Sequence, residues 1–259
     1  MNQIDSIAYH SKLAWIDPKA KLCFSLVLLC VCIGCRSILV GALVLLVTAG
    51  ATLFFARLSL RRYLHFLSIP LGFLLVGTLT IFISVYPAGE KLLAGIPIGG
   101  SQVGISAQSF LEGLRLCATA LGAVGCMYFL SFNTPMTGLF ALFRKSPLPE
   151  VVVSLMELIY RYIFVLWEEA ATMKTAQNAR LGYQGIRHSI ASFGTLVGTL
   201  FFRAYQRCDR IYSALESRGY QGSLEALQEE YQPGKGWYGA TFLTAAATLG
   251  IFFLERSVL

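Results

Sequence analysis

Five apolar stretches constrain this chain more than anything else in it: residues 22–35, 38–56, 64–85, 116–132 and 237–254. A helix needs about 20 apolar residues, within a range of roughly 17–25, to cross the hydrocarbon core of a bilayer. The first stretch is short, but Lys19 and Lys21 extend it by snorkelling to the interface, and with Arg36-Ser37 as its turn it pairs with the second in a hairpin. Arg57, Arg61 and Arg62 close that pair, and Tyr86-Pro87 ends the third stretch. Residues 88–106, rich in glycine and poor in bulky side chains, are expected to be a loop. The fourth stretch follows a polar turn carrying Glu112 and Arg115, and its Ala118, Gly122 and Gly125 invite the close approach of a neighbouring helix. The fifth has Trp237 and Tyr238 at its entry, as at a membrane interface.

Composition agrees. Of 259 residues, 56% are hydrophobic and only 14% charged, whereas about 25% charged is ordinary for soluble domains. A soluble domain of this size leaves roughly a quarter of its unfolded surface exposed and cannot hide so much apolar area. Disorder, a disulfide scaffold and a cytosolic enzyme are excluded. Residues 31–35 resemble a poor lipoprotein-type cleavage site, yet the long apolar runs that follow do not fit a cleaved leader. Six of the seven cysteines (23, 30, 32, 35, 117 and 126, with 208 apart) fall inside apolar runs without His or acidic partners at ligand spacing, so they read as small apolar residues. The fold expected is an all-α integral membrane protein, with a membrane domain of four helices over 1–132, a helical domain over 133–236 and a last transmembrane helix over 237–259.

Residues 133–236 hold 11 of the 21 Lys and Arg and 9 of the 14 acidic residues. Val151, Leu155, Leu158, Tyr162 and Val165 recur at steps of four and three, as do Phe201, Tyr205, Cys208, Tyr212 and Leu215, which is an apolar stripe on a polar helix. Residues 151–167 are apolar enough to tempt a sixth span. Glu157 and Arg161, i,i+4 partners inside them, argue instead for a helix packed against the membrane domain. Residues 190–202 are too short to span and suit a packed or interfacial helix. With five spans, Lys12, Lys19, Lys21, Arg57, Arg61, Arg62 and the whole of 133–236 fall on one side, against Arg36, Lys91 and Arg256 on the other. The positive-inside rule places the richer side, and the N-terminus, in the cytoplasm.

Chemistry-bearing motifs are missing. There is no G-x-x-x-x-G-K-[ST], G-x-S-x-G or H-E-x-x-H, and the three histidines (10, 65 and 188) are far apart. Glu112 and Arg115, i,i+3 neighbours near the outer interface, read as a structural pair. Two helix ends stand out instead. One runs Ala179-Arg180-Leu181-Gly182-Tyr183-Gln184-Gly185, the other Ser217-Arg218-Gly219-Tyr220-Gln221-Gly222. Each alone is a helix stop, with Gly as the left-handed cap and Arg at the carbonyl dipole. As a pair 38 residues apart, they are two like surfaces whose arginines can fork onto a partner's carboxylates or carbonyls.

At these residues the chain resembles the transmembrane T component of energy-coupling factor (ECF) transporters, in its cobalt-transport branch. The resemblance runs from Ile4-Asp5 and Asp17-Pro18-Lys19-Ala20-Lys21-Leu22 through Thr134-Pro135, Ser146-Pro147-Leu148-Pro149 and Tyr160-Arg161-Tyr162-Ile163. It is strongest from Arg203 to Ala214-Leu215-Glu216-Ser217-Arg218-Gly219-Tyr220-Gln221-Gly222. The family's two Ala-Arg-Gly motifs map onto Ala179-Arg180-Leu181 and Ser217-Arg218-Gly219, with Leu181 in place of Gly and Ser217 in place of Ala. The resemblance implies a non-catalytic subunit in a prokaryotic cell (inner) membrane. Its two coupling helices dock on two cytoplasmic ATP-binding-cassette ATPase subunits, and it passes their motion to a separate substrate-binding membrane subunit, with a small accessory membrane subunit. ATP is bound by those partners; no cofactor, metal or nucleic acid is expected on this chain, because cobalt would want imidazole or soft ligands. A nickel or vitamin importer subunit is the alternative within the class. A membrane enzyme for lipid or prenyl substrates would need acidic or His clusters at the membrane face, and a structural adaptor would use the same helices without ATPases.

Overall fold

A computed structural model describes residues 3–82, 84–87, 94–98, 101–105, 107–220 and 231–258. The chain forms two compact units, one of residues 2–139 with 230–259 and one of residues 140–229. In the first lie α1 (Gln3–His10), α2 (Pro18–Cys35), α3 (Ile38–Phe55), α4 (Leu60–Phe82), the strands β1 (Ser84–Pro87), β2 (Ala94–Ile98) and β3 (Ser101–Ile105), α5 (Ala107–Asn133) and α9 (Lys235–Val258). In the second lie α7 (Glu150–Ala179) and α8 (Ile186–Glu216), and α6 (Met136–Arg144) leads into it.

Among the described residues five helices are long and apolar enough to cross a membrane, in the windows Pro18–Cys35, Ile38–Phe55, Leu60–Ile81, Gln108–Asn133 and Gly236–Glu255. The chain is a multi-pass membrane protein, and residues 151–167 are not among the helices that meet this length and composition. Local chemistry sets the helix ends. Asp17 caps α2 by accepting the Lys19 N–H at 3.0 Å, with Pro18 in the first turn where no N–H is needed. Ser37 caps α3 and also donates its hydroxyl to the Glu255 carboxylate near the end of α9. Inside α3, the Thr48 and Thr52 hydroxyls donate to the carbonyls of Val44 (2.8 Å) and Thr48 (2.6 Å), which satisfies them without water.

The stretch expected to be a loop holds β2 and β3, and β1 takes the residues after α4; the sheet is antiparallel in the order β1-β3-β2. Val85 and Ile96 both lie opposite Val103, so β-branched residues between the glycines supply enough strand preference to pair. Residues 88–93, 99–100 and 106 lie outside the described set. The fourth membrane helix starts earlier than expected: Glu112 and Arg115 belong to α5 itself, and Glu112 accepts from Gln108 at 3.4 Å rather than pairing with Arg115.

The core of this unit joins Phe24, Leu28 and Cys32 of α2, Val40 and Val44 of α3 and Cys126 and Phe129 of α5. Trp237 at the start of α9 packs its indole 5.4 Å from Phe24, 5.3 Å from Phe55 and 5.6 Å from Phe129, between centroids. The small residues of α5 meet α3: a Cβ on Gly41 would lie 2.6 Å from the Ala118 carbonyl oxygen, and one on Gly125 the same distance from Thr48 Oγ1.

Lys21 does not snorkel. It is fully buried, and its ammonium donates to the carbonyls of Leu13 at 2.8 Å and Asn133 at 3.0 Å. Asn133 in turn accepts from Ser11 at 2.8 Å and donates to the Phe129 carbonyl at 2.9 Å. The unwound residues after α1 and the end of α5 each leave carbonyls without helical partners, and one ammonium serves both. The start of α2 therefore meets the end of α5. The Gln232 backbone pairs with Trp15 and Asp17 and adds the approach to α9. Four spans thus return the chain to the side on which the first begins.

Candidate functional site

The unit of residues 140–229 is built on α7 and α8. Its entry is fixed by Arg144, whose Nη2 lies 2.9 Å from both Glu157 carboxylate oxygens. The sequence pairs Glu157 with Arg161 by spacing, but α6 brings Arg144 to the same carboxylate. An exposed i,i+4 pair contributes only about 0.3–0.5 kcal/mol and does not hold Glu157 against that competitor. Phe140 stacks edge-on against Tyr160, and Tyr160 against Phe164, at 5.6 and 5.1 Å.

The two arginine-bearing ends are the same closing turn. At the end of α7, Arg180 N–H donates to the Gln177 carbonyl, Leu181 N–H to that of Asn178, and Gly182 N–H back five residues to Gln177 again (2.9 Å). At the end of α8, Arg218 N–H donates to Leu215, Gly219 N–H to Glu216, and Tyr220 N–H back five residues to Leu215 (3.0 Å). This 6→1 closure with one left-handed residue is a Schellman turn. Leu181 has φ 60° and Gly219 φ 76°. Counted from the Gly-Tyr-Gln-Gly run, Gly182 aligns with Gly219, but the hydrogen bonds match Leu181 with Gly219 and Gly182 with Tyr220. Leu181, in place of the motif's glycine, therefore takes the left-handed slot that suits glycine.

Arg180, Arg218 and their neighbours Ala179, Leu181, Ser217 and Gly219 are all exposed. Ser217 turns its hydroxyl back onto the Ser213 carbonyl at 2.7 Å, so its outward face stays as small as the alanine it replaces. The first turn is braced. Tyr183 donates to Gln177 Oε1 at 2.8 Å, Gln177 Nε2 to the Ser192 carbonyl at 3.0 Å, and Ser192 Oγ to the Gly182 carbonyl at 2.7 Å. Gln221 and Gly222 of the second motif lie outside the described residues. A left-handed conformation costs an L-residue about 1–2 kcal/mol, and Leu181, 62% exposed, recovers little by burial. Leu181→Gly is expected to stabilise the chain by about 1 kcal/mol, and Gly219→Leu to destabilise it by a similar amount, read from denaturant or thermal midpoints.

Two features of this unit have no signal in the sequence beyond the heptad stripe. An apolar groove of about 540 Å3 runs between α7 and α8, lined by Leu155, Leu158, Tyr162, Cys208, Tyr212 and Leu215 among others. A polar cleft of about 550 Å3 adjoins it, with Glu168, Glu169, Thr172, Arg203 and Arg207. Arg207 walls both. Its Nη1 lies 2.9 Å from Glu169 Oε1 and its guanidinium sits over the Tyr162 ring, 5.3 Å from the centroid. Among the described residues no three His, Cys, Asp or Glu side chains come together as metal ligands would.

Five membrane helices define a multi-pass membrane protein, and its polar helices α7 and α8 each end in an exposed arginine on the same closing turn. The chain matches the cobalt transport protein family CbiQ over residues 10–230 and belongs to it. It is 30% identical over 224 residues to the cobalt transport protein CbiQ of Salmonella typhimurium, covering 86% of this chain and 99% of that one. It is 30% identical over 256 residues to the putative fused cobalt transport protein CbiMQ of Methanocorpusculum labreanum, covering 99% of this chain and 43% of the fusion. A third relative is the energy-coupling factor transporter transmembrane protein EcfT of Thermanaerovibrio acidaminovorans, 30% identical over 261 residues, with 94% and 92% covered. The chain is a transmembrane component of the ECF transporter type.

Proposed function

We propose that this chain is the energy-coupling membrane subunit of a cobalt importer. Arg180 and Arg218 enter grooves on two cytoplasmic ATPase subunits, and the chain passes the motion of those ATPases to a separate substrate-binding membrane subunit. It does no chemistry of its own, ATP is held by the partners, and its N-terminus is cytoplasmic. The observation that carries this reading is the identical turn at the ends of α7 and α8, each presenting an exposed arginine one residue before the left-handed position. One geometry used twice suits two copies of one kind of partner. Arg supplies a planar fork of donors that the ATPase carboxylates or helix-end carbonyls can accept. Further support comes from the lack of a phosphate-binding loop in the sequence and from the cobalt-transport names of the relatives. The apolar groove between α7 and α8 offers a surface for an apolar helix of the substrate-binding subunit.

The test is uptake of labelled cobalt, against labelled nickel, by cells that carry the full set of subunits with or without this chain, together with co-purification of the ATPases on it. Cobalt uptake that requires the chain, with both ATPases retained, is the expected result. Uptake of neither metal would overturn the cobalt assignment, and ATPases that fail to co-purify would overturn the coupling role.

A further inference from the structure

We propose that Arg207 is the positioning residue that sets the angle of α8 against α7 and links the filling of the apolar groove to the spacing of the two arginine motifs, one at the end of each helix. The inference rests on the coupling role proposed above. Arg180 sits in the turn just before α8 and Arg218 just after it. At 1.5 Å per residue the 31 residues of α8 form a rod of roughly 46 Å with one motif at each end. Arg180 is held to α7 by its closing turn, so any rotation of α8 about α7 moves Arg218 relative to Arg180 and changes the spacing of the two motifs.

At the turn, α7 and α8 are tied by Gln177 and Ser192. Farther along, Arg207 provides the tie: it pairs with Glu169 and lies over Tyr162, both on α7. The pair is about one-third exposed on each partner. It is thus screened by water and weak enough to open during a working cycle, while the ring contact keeps the guanidinium in place. The same guanidinium walls the apolar groove on one side and the polar cleft on the other. Apolar side chains entering the groove press on Tyr162 and Arg207 together and so act on the Glu169 contact. Glu168 and Arg203 line the same cleft and offer the freed groups new partners there.

The experiment places spin labels, introduced as unnatural amino acids because Cys30 and Cys208 are exposed, at Met156 on α7 and Ser213 on α8 in the full chain. Pulsed electron resonance then reads the distance. Arg207→Met and Glu169→Gln are expected to broaden the distribution or shift its mean by about 5 Å or more. The swap Glu169→Arg with Arg207→Glu should restore the narrow distribution, and Arg207→Lys should restore it in part. Unchanged distributions in Arg207→Met and Glu169→Gln would overturn the proposal. In the assembled transporter, Arg207→Met is expected to keep both ATPases bound and hydrolysing ATP while metal uptake falls about tenfold. Loss of ATPase binding instead would make Arg207 a docking residue and overturn the positioning role. If Arg180→Glu and Arg218→Glu leave assembly intact, the coupling reading fails while the distance result stands by itself.

Discussion

Arg180→Glu combined with Arg218→Glu is expected to abolish co-purification of the ATPase subunits and to reduce metal uptake to the level of cells without the chain. Each arginine stands exposed at the end of a long helix, on a turn closed by its own hydrogen bonds. Reversing its charge therefore keeps that closure, at a cost of about 0.3–1 kcal/mol against the helix dipole, and mainly changes what a partner meets. Removing one member of a hydrogen-bonded charge pair at an interface costs about 2–5 kcal/mol. At the lower bound each single reversal weakens assembly roughly thirtyfold. If the two docking sites are independent, the double variant loses roughly a thousandfold. Arg→Lys at either position keeps the charge but loses the fork, and a milder loss, on the order of tenfold, is expected. Pull-down of the ATPases and initial rates of labelled cobalt uptake measure both. The thermal midpoint of the isolated chain should fall by only a few degrees, and that separates docking from folding.

The second large effect is on stability. Gly41→Val is expected to destabilise the membrane unit by about 3 kcal/mol. The new Cβ would meet the Ala118 carbonyl at 2.6 and 2.7 Å and the Thr119 nitrogen at 3.0 Å, all backbone, which cannot rotate away. Relief would require α3 and α5 to move apart, which would also open the contacts of Gly122 with Gly41 and of Gly125 with Thr48. Gly50→Val, on the same α3 with nothing within 4 Å of its Cβ position, is the control and should change stability by less than about 0.5 kcal/mol. At roughly 2–4 °C per kcal/mol for a chain of this size, the first shift is near 6–12 °C in detergent and the second within error.

Much of the architecture was legible because it follows from local chemistry. A run of apolar residues of bilayer length has few folds open to it, so the five spans could be read one at a time, and Ala118, Gly122 and Gly125 announced a close helix contact. The candidate site was half legible. Two stretches of like residues marked the two helix ends and the motif mapped Leu181 onto the glycine's place; that Leu181 takes the left-handed conformation there came only from the backbone. The β-ladder after α4 was hidden because Gly95, Pro97 and Gly104 read as loop residues, and pairing across three strands outweighed them.

What the sequence by itself determined was the five apolar runs of bilayer length, the uneven spread of charge along the chain and the position of the arginine motifs, all of which depend on short windows of residues. The tertiary structure alone decided which groups serve which partners. Lys21 looked like an interfacial cation and proved to be buried under two carbonyls, one of them 112 residues away. Glu157 met Arg144 rather than its helix neighbour. Glu169 met Arg207 across the groove, 38 residues along the chain. The physical reason is common to all three. A side chain's spacing on its own helix is set by 3.6 residues per turn, whereas the group that finally satisfies it is set by which backbone ends and helices pack beside it.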